Sequence, residues 1–198
     1  MRFIMNKEVI QQITEKANQV LEKVNYNGIG LVSTDKIVSA VSQLTNTSIT
    51  YSDVSFSKID VPGAMDIGAM MCVIKASGKR KQAASILINS DKDIKFRRFS
   101  LIHELGHLIN NSYTTASSNN EFTLSTHIRY DVTSFTDEAC RKDPVLESEQ
   151  KANIFALRVL MPTEALINQI QSKDSFFQIA DFFGVSEDAV RSRMLLGL

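Results

Sequence analysis

The chain has 198 residues, with 22 Lys or Arg balanced by 22 Asp or Glu, so it is formally neutral at pH 7. Net neutrality advertises no nucleic-acid or membrane partner, and the length suits one good core with a small appendage. Two cysteines in no CxxC spacing, no apolar run of membrane-spanning length and an N-terminus (MRFIMNKEVIQQ) without a signal-peptide core lead to the expectation of a reduced, cytoplasmic protein with no membrane contact.

From the N-terminus, Ile10, Ile13, Ala17, Val20, Leu21 and Val24 recur on one face of residues 6–24. This predicts an amphipathic helix capped by Asn6 and packed on its own domain. A second helix is expected from a Thr34 or Asp35 cap, carrying Ile37, Val38, Val41 and Leu44. Strand patterns follow at 48–56, 67–75 and 83–89, the last two joined by a turn containing Gly78. Lys79, Arg80 and Lys81 fall in that turn and read as a solvated tip rather than a phosphate site. Cys72, in an apolar run, reads as a core residue.

Residues 97–111 (RRFSLIHELGHLINN) contain His103-Glu104-Leu105-Gly106-His107. On a helix the two imidazoles stand one turn apart on one face and can share a metal ion, while Glu104 projects about 100° away, within reach of a water at that ion. Phe99, Ile102, Gly106 and Ile109, with Leu101, Leu105 and Leu108, make the helix apolar on most sides and therefore buried. Two histidines and a glutamate there would cost several kcal/mol if neither paired nor bound to metal. Gly106 costs about 1 kcal/mol relative to alanine and predicts a close approach by another backbone or a bound group.

Residues 111–120 are polar and aperiodic, as in an exposed loop, and Phe122, Leu124, Ile128, Tyr130 and Val132 alternate as in a strand or hairpin. This insert, 111–146, is placed to form a lid or substrate-binding element, and Tyr113, His127 or Tyr130 could stabilise an oxyanion. A zinc site of this type takes a third protein ligand and leaves one position to water. The best placed is Glu149, beside the apolar face Ala152, Phe155, Ala156 and Val159, although Glu147, Glu138 and Asp137 are also within reach. Asn153, one turn beyond Glu149, could accept the free N–H of a ligating histidine. Glu147 reads as a solvated first-turn charge.

Near the C-terminus, residues 178–190 have the form of a helix-turn-helix. Gly184 ends one helix, Ser186 caps the next, and Val185 and Val190 take the positions of a hydrophobic staple. A recognition helix offers its N-terminal residues to base edges, and these are Glu187 and Asp188, with only Arg191 and Arg193 to meet phosphate. Packing on the core or a protein partner is the favoured role over DNA.

RRFSLIHELGHLINN followed by ESEQKANIFALRVLMP resembles the ImmA/IrrE family of zinc metallopeptidases, and the likeness extends to FGVSEDAVRSRMLLGL. Lys151 stands where family members often carry an acid, and the stretch between the motif helices is longer than usual. The resemblance implies zinc ligands His103, His107 and Glu149 and a catalytic Glu104. It implies an α+β, zincin-like metallopeptidase domain at 1–162 and a helical, helix-turn-helix-like subdomain at 163–198. It further implies that a small sheet's edge receives the substrate as an added strand, a part assigned to 83–89. The expected function is zinc-dependent cleavage of a peptide bond in a regulatory protein, typically a helix-turn-helix repressor of a phage or mobile element. The alternative is a non-cleaving regulator of the same fold that binds a repressor, a toxin–antitoxin partner or DNA.

Overall fold

A computed structural model of the protein describes residues 5–58, 67–74, 82–110, 122–125, 144–172 and 174–197. In α1 (Lys7–Lys23), the Asn6 side chain caps the first turn by accepting from the Glu8 N–H, and Ile13, Ala17 and Val20 are buried. Helix α2 (Thr34–Thr45) starts one residue earlier than the sequence predicts, because Ser33 supplies the cap to the Lys36 N–H. Its Ile37, Val38 and Val41 are buried while Leu44 stays 36 % exposed. Then come β1 (Thr47–Val54), a 3-10 turn (Phe56–Lys58), β2 (Ala69–Ile74), β3 (Gln82–Asn89), α3 (Ile94–Ile109) and β4 (Phe122–Ser125). Four helices finish the chain: α4 (Pro144–Leu160), α5 (Thr163–Gln171), α6 (Phe176–Phe183) and α7 (Glu187–Leu195). The class is α+β, as expected.

The sheet order β1-β3-β2-β4 corrects one expectation. The 83–89 segment is not an edge: β3 pairs parallel to β1 (Tyr51 opposite Ile86) and antiparallel to β2 (Met71 opposite Ile86). With both sides hydrogen-bonded it has no backbone groups left for an added strand. Its Ala84, Ile86 and Ile88 face the core while Ser85 is exposed. Among the described residues the edges are β1 and β4, the latter antiparallel to β2 (Cys72 opposite Leu124).

Strand alternation then places the core. Ala69, Met71 and Val73 of β2 and Ala84, Ile86 and Ile88 of β3 are all buried, and α3 packs on both strands. Cys72, one position out of step on β2, is only half-buried rather than a core residue. A four-residue link, 90–93, lets β3 feed directly into α3, which starts where the Asp93 side chain accepts from the Lys95 and Phe96 N–H groups. Helix α1 lies against α4 and α2, on its own core. Its Lys16 donates to the Ile109 carbonyl at 3.3 Å and to Asn110 Oδ1 at 3.1 Å, capping the end of α3. Helix α1 thereby touches both helices that carry the motif residues.

The C-terminal helices follow their caps. Ser175 and Gln178 form a capping box on α6, Gly184 ends it in the left-handed region at φ 61°, and Ser186 accepts from the Ala189 N–H to start α7. Val185 and Val190, the two staple positions, are buried. From α3, Arg98 donates to the carbonyls of Phe183 and of Val32, tying the α6–α7 turn to the loop before α2. One continuous cluster of buried side chains runs from Ile13 on α1 to Val190 on α7. Among the described residues, no helix is long and apolar enough to cross a membrane. The Gly78 turn, the Lys79–Lys81 cluster and Cys140 lie outside the described residues.

Candidate metal centre

Helix α3 is apolar on nearly every side, and every residue from Phe99 to Ile109 is buried. His103 and Glu104 are 0 % exposed and His107 is 1 % exposed, so the polar trio sits in the interior as its flanks predict. The reason Gly106 interrupts this helix is steric. A Cβ there would come within 2.9 Å of both Cα and O of Ala152 and 3.2 Å of the Phe155 ring. Thus α3 and α4 meet backbone to backbone at this point, which is the close approach that the glycine foretells.

Helix α4 turns its apolar face, Ala152, Phe155, Ala156 and Val159, wholly inward. Glu149 and Asn153, beside that face, are thereby directed at α3. Glu147 stays outside with its carboxylate 2.6 Å from Lys151 Nζ, the solvated first-turn charge expected of it.

Two imidazole nitrogens and both oxygens of one carboxylate converge between the helices. His103 Nε2 lies 3.2 Å from Glu149 Oε2, His107 Nε2 lies 3.1 Å from Glu149 Oε1, and the two Nε2 atoms are 3.0 Å apart. Tetrahedral zinc, with bonds of about 2.0–2.2 Å, sets neighbouring donor atoms about 3.3–3.5 Å apart. The observed separations, two of them to different oxygens of Glu149, fall a few tenths of an ångström short of that spacing. Behind it, His103 Nδ1 is 2.8 Å from Asn153 Oδ1, and His107 Nδ1 is 3.1 Å from Ser148 Oγ. The amide oxygen can only accept, so the His103 proton belongs on Nδ1 and the Nε2 lone pair faces inward. Lone pairs and a carboxylate aimed at one another repel unless a metal ion or a proton on an imidazole lies between them. Among the described residues, His103, His107 and Glu149 therefore form a group able to hold a metal ion.

The electrostatics agree in sign. Burial pushes the Glu149 carboxyl up, but hydrogen bonds and positive charge from His103 and His107 outweigh it and bring the value to about 2, from 4.5. Glu149 is thus an anion throughout the neutral range, the form in which a carboxylate ligates.

The remaining sequence candidates fall elsewhere. Tyr113, His127 and Tyr130 lie outside the described residues, as does most of the 111–146 insert. Ser148, the residue before Glu149, is a partner that the sequence did not single out. Arg193, considered for phosphate, is 0 % exposed. It donates from Nε to the Met161 carbonyl, from Nη1 to the Gly197 carbonyl and from Nη2 to Thr163 Oγ1. Burial, with the like charge of Arg158, pulls its value down to about 9. Arg191 is exposed, but it pairs with Glu187 at 3.7 Å and its guanidinium stacks on the Phe176 ring. Of the two arginines only Arg191 can face a phosphate, so the case for DNA weakens.

A helix bearing two metal-capable histidines, packed on a helix bearing a metal-capable glutamate, is the architecture of a metallopeptidase-like domain. The family pattern of the IrrE N-terminal-like domain, a peptidase family, matches residues 73–195, and the chain belongs to this ImmA/IrrE family. Comparison with curated proteins and with solved structures gave no match. The matched region runs from the end of β2 through α7 and takes in α3 and α4 entire.

Proposed function

We propose that the protein is a zinc-dependent endopeptidase in which His103, His107 and Glu149 are the metal ligands and Glu104 is the catalytic base. The single observation that carries this reading is the convergence of two Nε2 atoms and a carboxylate within 3.0–3.2 Å of one another in a buried site. Zinc, when bound, acidifies a water and polarises the scissile carbonyl. Glu104 takes the proton of the attacking water as its oxygen bonds the carbonyl carbon, then gives that proton to the amine nitrogen as the C–N bond breaks. Asn153 holds the His103 ring in the tautomer that leaves Nε2 without a proton. His127, Tyr113 and Tyr130 remain the candidates for steadying the oxyanion.

The substrate class proposed is a regulatory protein, a helix-turn-helix repressor of a phage or mobile element, cut in the cytoplasm by a metallopeptidase domain (1–162) with a helix-turn-helix-like subdomain (163–198). The rival is a non-cleaving regulator of the same fold. It draws on the helix-turn-helix-like form of α6 and α7.

Zinc content per chain, measured in untagged protein purified without chelator, tests the site. About one zinc in the natural protein, lost on Glu149→Ala, is the expected result, and no metal after zinc supplementation would overturn it. Glu104→Gln then separates the two readings. It should keep the metal and lose peptide-bond cleavage, whereas a non-cleaving regulator would keep full regulatory activity.

A further inference from the structure

Two groups stand behind the metal-facing imidazoles, and they differ in kind. Asn153 Oδ1, 2.8 Å from His103 Nδ1, is an obligate acceptor and fixes that ring by itself. Ser148 Oγ, 3.1 Å from His107 Nδ1, can donate or accept. If the serine donates, the His107 proton sits on Nε2, the atom 3.0 Å from His103 Nε2 and 3.1 Å from the Glu149 carboxylate, and no lone pair is left there for a metal. If it accepts, the proton moves to Nδ1 and Nε2 becomes a ligand. The position of Ser148 also differs from that of a chance neighbour. It immediately precedes Glu149 on α4, so the step that places the carboxylate against both imidazoles places the hydroxyl behind one of them.

We propose that Ser148 is the positioning residue for His107: its hydroxyl oxygen accepts the Nδ1–H and holds the imidazole with Nε2 turned to the metal. This inference rests on the metal reading given above. Each ligand-bearing histidine is then braced by one residue of α4, Asn153 for His103 and Ser148 for His107. Both supports arrive on the same helix as the third ligand, so docking of α4 would order the whole centre at once.

The test is metal affinity of the full chain, read by competition with a chromophoric zinc chelator and by the ligand-field spectrum of the cobalt-substituted protein, for the natural sequence, Ser148→Ala and Ser148→Thr. The alanine variant is expected to bind zinc about 10–100-fold more weakly, as losses of outer partners of metal-bound histidines usually do. Its cobalt spectrum should shift, and Ser148→Thr, which restores a hydroxyl at the same place, should return both to near the natural values. Three results would overturn the proposal. Affinity in Ser148→Ala within about twofold of the natural protein would show that the hydroxyl does not hold the ring. A loss that Ser148→Thr fails to repair would assign the effect to packing. Absence of metal from the natural protein itself would remove the site on which the proposal stands, and Glu149→Ala, measured alongside, identifies that case.

Discussion

Gly106 and Ala152 stand backbone to backbone: a Cβ on the first would lie 2.9 Å from the Cα and from the carbonyl oxygen of the second. That contact sets the distance between the histidine-bearing and glutamate-bearing helices. Gly106→Ala should therefore act on the metal centre although residue 106 carries no ligand. The extra methyl gains about 1 kcal/mol in helix propensity, but overpacking against rigid backbone costs about 1–3 kcal/mol. The expected outcome is a modest net loss of stability in urea unfolding together with a tenfold or greater fall in zinc affinity, because Glu149 moves off the imidazoles. Unchanged affinity would mean that the helices adjust without parting.

Asn153 offers a cleaner perturbation, since its amide touches the metal only through His103. Asn153→Ala removes the acceptor for the Nδ1–H at 2.8 Å and should weaken zinc binding about 10–100-fold. Asn153→Asp keeps an acceptor of similar size and adds negative charge behind the ring, so it should retain or strengthen binding. A competition titration of the two variants against the natural chain decides the matter. Equal losses in both would assign Asn153 to packing alone.

The sequence made α3 and α4 legible because their information is local. HExxH fixes two metal-capable histidines on one turn, Gly106 betrays a close approach, and the stripe Ala152, Phe155, Ala156 and Val159 orients Glu149. The caps at Asn6, Gly184 and Ser186 are equally local and were readable for the same reason. What could not be read was pairing. Strand β1 runs parallel to β3, which follows it at a distance, while β2 takes the other side of β3, and no residue in 83–89 announces two neighbours rather than one. Arg193 misled for a similar reason. Its sequence neighbours place it on an exposed-looking helix, and its distant acceptors, the carbonyls of Met161 and Gly197 and the Thr163 hydroxyl, explain its burial.

Metal removal should expose a pH dependence that the metal conceals. In chelated protein the Glu149 carboxyl titrates near 2 when folded and near 4.5 when unfolded, with burial opposed and exceeded by the two imidazoles. A folded value below the unfolded one means that the unfolded chain binds more protons in that interval. The stabilisation is complete above about pH 4.5 and drains away as pH falls toward 2, at up to about 1.4 kcal/mol per pH unit. Urea unfolding of the chelated natural chain and of Glu149→Gln, between about pH 5 and about pH 3, should give a steeper acid loss for the natural chain. Parallel curves would exclude a carboxylate–imidazole pair in the metal-free state.

The last contrast lies on α7, where two arginines two residues apart have opposite surroundings. Arg193 is 0 % exposed and donates to Met161, Gly197 and Thr163. Removing it strips the buried Met161 of this donor, while Gly197 is exposed and Thr163 keeps Arg158, so Arg193→Met should cost about 1–3 kcal/mol in urea unfolding. Arg191 is exposed, and its 3.7 Å pair with Glu187 is a surface contact, so Arg191→Ala should change stability by no more than about 0.5 kcal/mol. Arg191→Ala therefore tests DNA binding without disturbing the fold. Retention on DNA at low salt that drops on Arg191→Ala, with a reduced salt slope, would favour the regulator reading. The burial of Arg193 and the acidic Glu187 and Asp188 at the start of α7 lead to the opposite expectation, no salt-dependent retention by either the natural chain or the variant.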